Sequence, residues 1–229
     1  MNCNKILNQN DWVGWCGVKR TDGTGYNCTE RKQKVACFTP GTLIATPKGE
    51  RPVERLGRGD KIITRDNGIQ KIRWAGKKNL DPKTLILNPH LNPILIRKGS
   101  LDNDLPETDL MVSPNHRMLV RRNKSAVYYE ETEVFAAAKH LINNRSIFAV
   151  DRIQVSYLHF MFDTHQIVLA NGSWTESFQP SDHTLKAVGN AQRTEILELF
   201  PELATTEGIK DFHSGRETLT KAQARELAK

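Results

Sequence analysis

From Cys37 to Phe178 turn signals recur about every 8–12 residues, and the runs between them are short and rich in Val, Ile, Leu and Thr. Spacing of this kind predicts an all-β domain. Candidate strands are residues 42–46, 53–56, 61–65, 70–74, 84–87, 94–97, 110–112, 117–120, 146–150, 154–157 and 166–170. Two turns are specified by their residues, Asp66-Asn67-Gly68 and Ala170-Asn171-Gly172. Asn tolerates the positive φ that a tight hairpin requires, and Gly adopts it freely. One interior stretch, residues 133–142, reads as briefly helical.

The flanks have a different character. Residues 1–36 are rich in Asn, Gly, Thr, Lys and Cys, with Trp12 and Trp15 but no sustained periodicity, and read as a leader with little core of its own. After Phe178, residues 191–200 put Ile196, Leu197 and Phe200 on one helical face until Pro201 stops the run. Residues 218–227 form a second helical run. The chain therefore divides into a leader (1–36), a β-domain (37–178) and a 51-residue helical tail (179–229).

At 229 residues the chain is long enough to bury a core without disulfides. No window approaches the roughly 18–20 uninterrupted apolar residues of a membrane helix. The first ten residues hold one lysine and no apolar block, which is not the pattern of a secretory signal. A cytoplasmic protein, or one exported without a signal peptide, is expected. The net charge of +7 is spread, with +3 over residues 1–36, +5 over 37–178 and −1 over the tail. The nearest approach to a basic stripe is Arg117, Arg121, Arg122 and Lys124, followed by Tyr128 and Tyr129. It is too short and scattered to predict a nucleic-acid partner.

All four cysteines, Cys3, Cys16, Cys28 and Cys37, lie in the first sixth of the chain, with gaps of 13, 12 and 9 residues. No pair is close enough to come from one tight turn, and the nearest histidine is His90, so no zinc site or other metal is expected. A disulfide framework could not staple the cysteine-free remainder. Cys37 stands apart at the junction of leader and β-domain.

Three places could carry chemistry. Cys37 precedes the first strand, where a plain reading is a buried apolar thiol. His116 follows the turn Ser113-Pro114-Asn115 between two apolar runs, where a plain reading is a surface turn histidine. His159 and His165 sit among apolar residues with Asp163 between them, able to orient either. One of these histidines could equally serve a buried carbonyl.

Taken together these elements resemble a known module. A cysteine opening the domain and followed by Gly41-Thr42, then Ser113-x-x-His116, then His165 running into the Asn171-Gly172 closing hairpin, is similar to the Hint domain, the autoprocessing module shared by Hedgehog proteins and inteins. The wording CFTPGTLIATPKGERPVERLGRGDKIITRDNG, SPNHRMLV and YLHFMFDTHQIVLANGSWTESF resembles the bacterial Hint-domain group. The resemblance implies a horseshoe-like β-fold and a reaction without a cofactor, in which the Cys37 thiol attacks the carbonyl of Ala36 and converts the Ala36–Cys37 amide to a thioester. It makes His116 the acid that protonates the departing nitrogen and puts Ser113, in the place usually held by Thr, as a hydrogen-bond partner to the scissile region. His165, His159 and Asp163 are candidates for activating the next nucleophile.

Inteins close with His-Asn followed by Cys, Ser or Thr. Here those positions hold Glu176, Ser177 and Phe178, so no Asn can cyclise and full splicing is not expected. What the resemblance leaves is release or transfer of residues 1–36 by water or another external nucleophile. The chain's own N-terminal segment would be the substrate, and the protein a monomer. Two rivals stand beside this reading. One is a catalytically silent Hint fold used for binding or secretion. The other is a trans-acting cysteine hydrolase pairing Cys37 with His116 or His165.

Overall fold

The Asn171-Gly172 hairpin organises the largest sheet. Strands β12 (Ile167–Ala170) and β13 (Ser173–Glu176) flank it, with Ala170 opposite Ser173. Asn171 and Gly172 lie at φ 47° and 79°, the two positive values that a two-residue type I′ connection needs. On one side β12 pairs β1 (Leu43–Thr46), which pairs β2 (Gly49–Pro52). On the other, β13 pairs β8 (Arg117–Asn123), which pairs β9 (Glu131–Ala137). The sheet order is β2-β1-β12-β13-β8-β9. The computed structural model describes residues 36–123, 131–181, 184–185, 188–212 and 215–227, and all of them fall in one compact unit.

Smaller sheets complete the β-domain. One places β6 (Ile94–Ile96) between β7 (Leu110–Val112) and β10 (Ile147–Ala149). A long ribbon pairs β5 (Trp74–Leu80) with β11 (Val155–Met161), and a hairpin pairs β3 (Lys61–Ile63) with β4 (Ile69–Lys71) around Asp66-Asn67-Gly68. Inward residues such as Ile44, Ile62, Ile94, Ile96, Val112, Met118, Val134, Phe160 and Val168 form one core. The architecture is the all-β one expected.

Four local expectations are corrected. Residues 53–56 are not a strand: Thr46 turns back on Gly49, so the strand paired with β1 comes earlier, and Val53–Arg55 is a 3-10 turn. Residues 84–87 belong to α1 (Pro82–Leu87), because Asp81 caps the Thr84 N–H at 2.7 Å and Pro82 opens the first turn. Of residues 133–142, the first five are strand. Val134, Phe135, Ala136 and Ala137 are all buried, so the alanines that suggest a helix are there because both faces are covered, and only Ala138–His140 turns as a 3-10 helix. The run 70–74 breaks at Ile72-Arg73 into β4 and β5.

The tail holds α2 (Asn190–Leu199), α3 (Thr206–Asp211) and α4 (Lys221–Leu227). It is built into the domain. Leu185, Val188, Ile196, Phe200, Leu203 and Phe212 pack with Trp74, Met161 and Phe178, and Leu219 and Ala224 enter the main core. Thr218 also adds a parallel bridge to Phe135 at the edge of β9. Of the basic run, Arg117 and Arg122 are paired with Glu176 and Glu217, while Lys124, Tyr128 and Tyr129 lie outside the described residues. So do Cys3, Cys16, Cys28 and the leader up to residue 35.

Candidate functional site

Cys37 sits at a seam between sheets. Phe38 bridges Val112 of β7 on one side and Leu158 of β11 on the other, exchanging both backbone hydrogen bonds with Leu158 at 2.8 and 2.9 Å. One residue earlier, the Cys37 N–H donates to Ser113 Oγ at 3.0 Å and the Cys37 carbonyl accepts from the Ser113 N–H at 2.9 Å. The backbone on the C-terminal side of the Ala36–Cys37 bond is thus fixed. Both residues are buried. Burial pushes the Cys37 thiol well above its usual range, partly offset by Ser113 and reinforced by the negative charge of Glu176.

Ser113 and His116 come from one turn. The His116 N–H bonds the Ser113 carbonyl at 3.0 Å across Pro114-Asn115, and the Ala138 N–H anchors the His116 carbonyl at 2.8 Å. The ring stands edge-on to Phe38, centroids 4.6 Å apart. Its Nε2 meets Thr175 Oγ1, and its Nδ1 is buried without a hydrogen-bond partner. Burial brings its pKa down to about 4. Arg117 adds to that lowering, while Glu176 and the Cys37 backbone oppose it. At neutral pH the ring is uncharged.

His159 is held by packing. It lies on β11 opposite Gly76 of β5, and its Nδ1 is 3.5 Å from Cys37 Sγ. The ring stacks on Trp74 with centroids 5.2 Å apart and an interplanar angle of 19°, and Phe178 packs beside both rings, 5.4 Å from His159 and 5.8 Å from Trp74. A Cβ on Gly76 would lie 2.4 Å from the Trp74 ring and 2.8 Å from His159 Nε2, so this close stack requires glycine opposite the histidine. Burial alone lowers this ring to about pKa 4.

Behind them lies a buried charge pair. Glu176 Oε1 accepts the Arg117 N–H at 2.7 Å and Oε2 accepts Arg117 Nε–H at 2.6 Å. His165 Nε2 is 3.8 Å from Glu176 Oε2. Burial works against the Glu176 carboxylate, but Arg117, His165 and His116 outweigh it and hold the group at about pKa 2.

The structure brings together Cys37, Ser113, His116 and His159, with His165 next to the Glu176 pair. It does not bring Asp163 to either neighbouring histidine. The Asp163 side chain is 64% exposed and faces Arg73 at 3.3 Å. Asn171 is a clamp at the hairpin tip, where Oδ1 accepts the Leu43 N–H at 2.7 Å and Nδ2 donates to the Asp109 carbonyl at 2.8 Å. Gly172 serves the same turn.

Sequence reasoning missed Thr175, Arg117, Gly76 and Trp74, and it weighed Glu176 only as a residue that is not Asn. The short strand after Asn171-Gly172 carried the one usable signal. Alternation places Thr175 on one face and Glu176 on the other, and an acidic residue in a closing strand of an apolar domain needs a partner. No group of three or more metal-ligating side chains occurs among the described residues.

The sequence matches the Hint domain family over residues 36–182. No curated protein matches it. Among solved structures it is similar to a bacterial intein-like domain from Clostridium thermocellum, at 12% identity over 62% of this chain and 97% of that one, with TM-score 0.39. It is also similar to the gp41-1 intein, at 11% identity over 61% and 97% of the two chains with TM-score 0.36. A DnaB intein from Synechocystis sp. gives 11% identity over 62% and 98%, with TM-score 0.35. Since the family match runs from Ala36 past Phe178 and so covers the whole site, the chain belongs to the Hint domain family.

Proposed function

We propose that this protein cleaves itself at Ala36–Cys37 through a thioester and does not splice. The observation that carries this reading is the setting of Cys37. Its thiol is against a neutral imidazole, His159 Nδ1, at 3.5 Å, while its backbone nitrogen donates to Ser113 Oγ at 3.0 Å, in the turn that also carries His116. Sulfur bonds to the Ala36 carbonyl carbon and the carbon–nitrogen bond breaks. One proton moves in sum from sulfur to nitrogen, lifted off by His159 and delivered by way of His116. The thiol and carbonyl are neighbours in sequence, so approach costs little entropy. Water, or an amine from another molecule, then adds to the thioester. The carbon–sulfur bond breaks, the thiol regains its proton, and water leaves residues 1–36 with a carboxylate on Ala36. His165 beside Glu176 is our candidate for activating that nucleophile. On this reading residues 1–36 are substrate, 37–178 the reacting module and 179–229 its support.

A silent binding or secretion module has one observation in its favour, the buried and protonated thiol. The same burial argues against a trans-acting hydrolase, since an added peptide has no access to Cys37. No helix among the described residues is long and apolar enough to cross a membrane. A cytoplasmic location, or export without a signal peptide, fits the reading.

The test is the intact mass of freshly expressed protein, with and without dithiothreitol or hydroxylamine, beside Cys37→Ala. Fragments 1–36 and 37–229 are expected from the parent and not from the variant. An unbroken chain under all conditions would favour the silent module.

A further inference from the structure

We infer that Thr175 is a positioning residue that fixes which nitrogen of His116 carries the proton. A threonine hydroxyl has one hydrogen to give. Thr175 Oγ1 gives it to the Arg117 carbonyl at 2.8 Å, across the pairing of β13 with β8 that sets Thr175 opposite Met118. Towards His116 the same oxygen can therefore only accept, so His116 Nε2 bears the hydrogen. In a neutral ring that leaves Nδ1 with the lone pair.

The consequence reaches Cys37. A ring in the opposite tautomer would present an N–H where the Nδ1 lone pair now stands. It could not take up a proton there for delivery to the Cys37 nitrogen. Thr175 touches neither Cys37 nor Ala36, and it acts through His116. The chain of donors has a fixed sense: His116 Nε2–H to Thr175 Oγ1, then Thr175 O–H to the Arg117 carbonyl. His116 and Arg117 are adjacent residues, so the relay closes within one strand end. Ser at position 175 preserves it, and Val abolishes it with little change of shape.

The catalytic meaning of this inference rests on the self-cleavage reading, but the tautomer does not, and the experiment separates them. In full-length Cys37→Ala protein labelled with 15N-histidine, long-range 1H–15N spectra at pH 7 report the His116 tautomer directly, with the signal assigned through His116→Gln. The Nε2–H form is expected in this background and with Thr175→Ser. With Thr175→Val, the Nδ1–H form or a mixture is expected. With Cys37 present, Thr175→Val is expected to slow the appearance of fragment 37–229 on the order of 100-fold, and Thr175→Ser to restore it. An Nδ1–H ring in the Cys37→Ala protein would overturn the inference, even if Thr175→Val failed to fold. An unchanged tautomer in a folded Thr175→Val would overturn it as well. Absence of cleavage in the parent, with the tautomer as expected, would instead count against the self-cleavage reading.

Discussion

The two imidazoles beside Cys37 are both buried and both brought to about pKa 4, yet opposite means hold them. His116 is fixed by polar contacts: a backbone turn, a threonine hydroxyl and a nearby carboxylate–guanidinium pair. His159 is fixed by shape, in a three-ring cluster with Trp74 and Phe178 and over a missing Cβ at Gly76. A hydrogen-bonded ring has its tautomer dictated by its neighbours. A stacked ring has only its plane dictated, and it can hand a proton on without breaking a bond to the fold. The first arrangement suits delivery of a proton in a fixed direction, and the second suits its removal from sulfur.

The largest way to break the comparison strikes the polar side. Arg117→Met leaves Glu176 charged, buried and without its guanidinium, and should cost about 3–5 kcal/mol in urea unfolding. The His159 stack contains no such pair and should keep its Trp74 fluorescence until the whole domain unfolds.

Acid tests both rings together. An unfolded histidine titrates near 6.5 and each of these near 4, so in that window the unfolded chain binds more protons and stability falls as pH falls. The loss begins near pH 6.5, is complete below about 4, and amounts to about 3 kcal/mol for each ring by pH 4. Measured in Cys37→Ala protein so that the chain stays whole, His159→Phe should remove about half of this slope.

Gly76→Ala strikes only the stacked side. The new methyl must push Trp74 or His159 aside, which should cost about 1–3 kcal/mol and slow self-cleavage by displacing Nδ1 from the thiol. A variant that cleaves at the parent's rate would show that His159 is not held by this contact.

The polar side was the more legible in the sequence. Ser113-Pro114-Asn115-His116 is a local turn, and its geometry follows from four consecutive residues. Asn171-Gly172 was readable for the same reason, and helix α2 was readable from its apolar face and Pro201. The stacked side joins residues 74, 76, 159 and 178, and no local pattern connects them. Gly76 looks like any loop glycine until β5 is seen to face β11. The errors at residues 84–87 and 133–142 have a related cause. In the first, a capping aspartate outweighed β-type residues, and in the second, burial on both faces selected alanines that on their own favour a helix. The tail was legible as helices but not as a wall of the site, because its contacts with Trp74 cross most of the chain.

The double bridging of Phe38 has a mechanical consequence. A pull on the residues upstream of Cys37 loads the hydrogen bonds to Ser113 and Leu158, which lie across the strand direction and resist in shear together. Force carried along the chain is shed into two sheets within the span Cys37–Phe38. The Ala36–Cys37 bond lies immediately before the first of these anchors. Every strand among the described residues lies C-terminal to that bond, so a cut there would leave all of them in place.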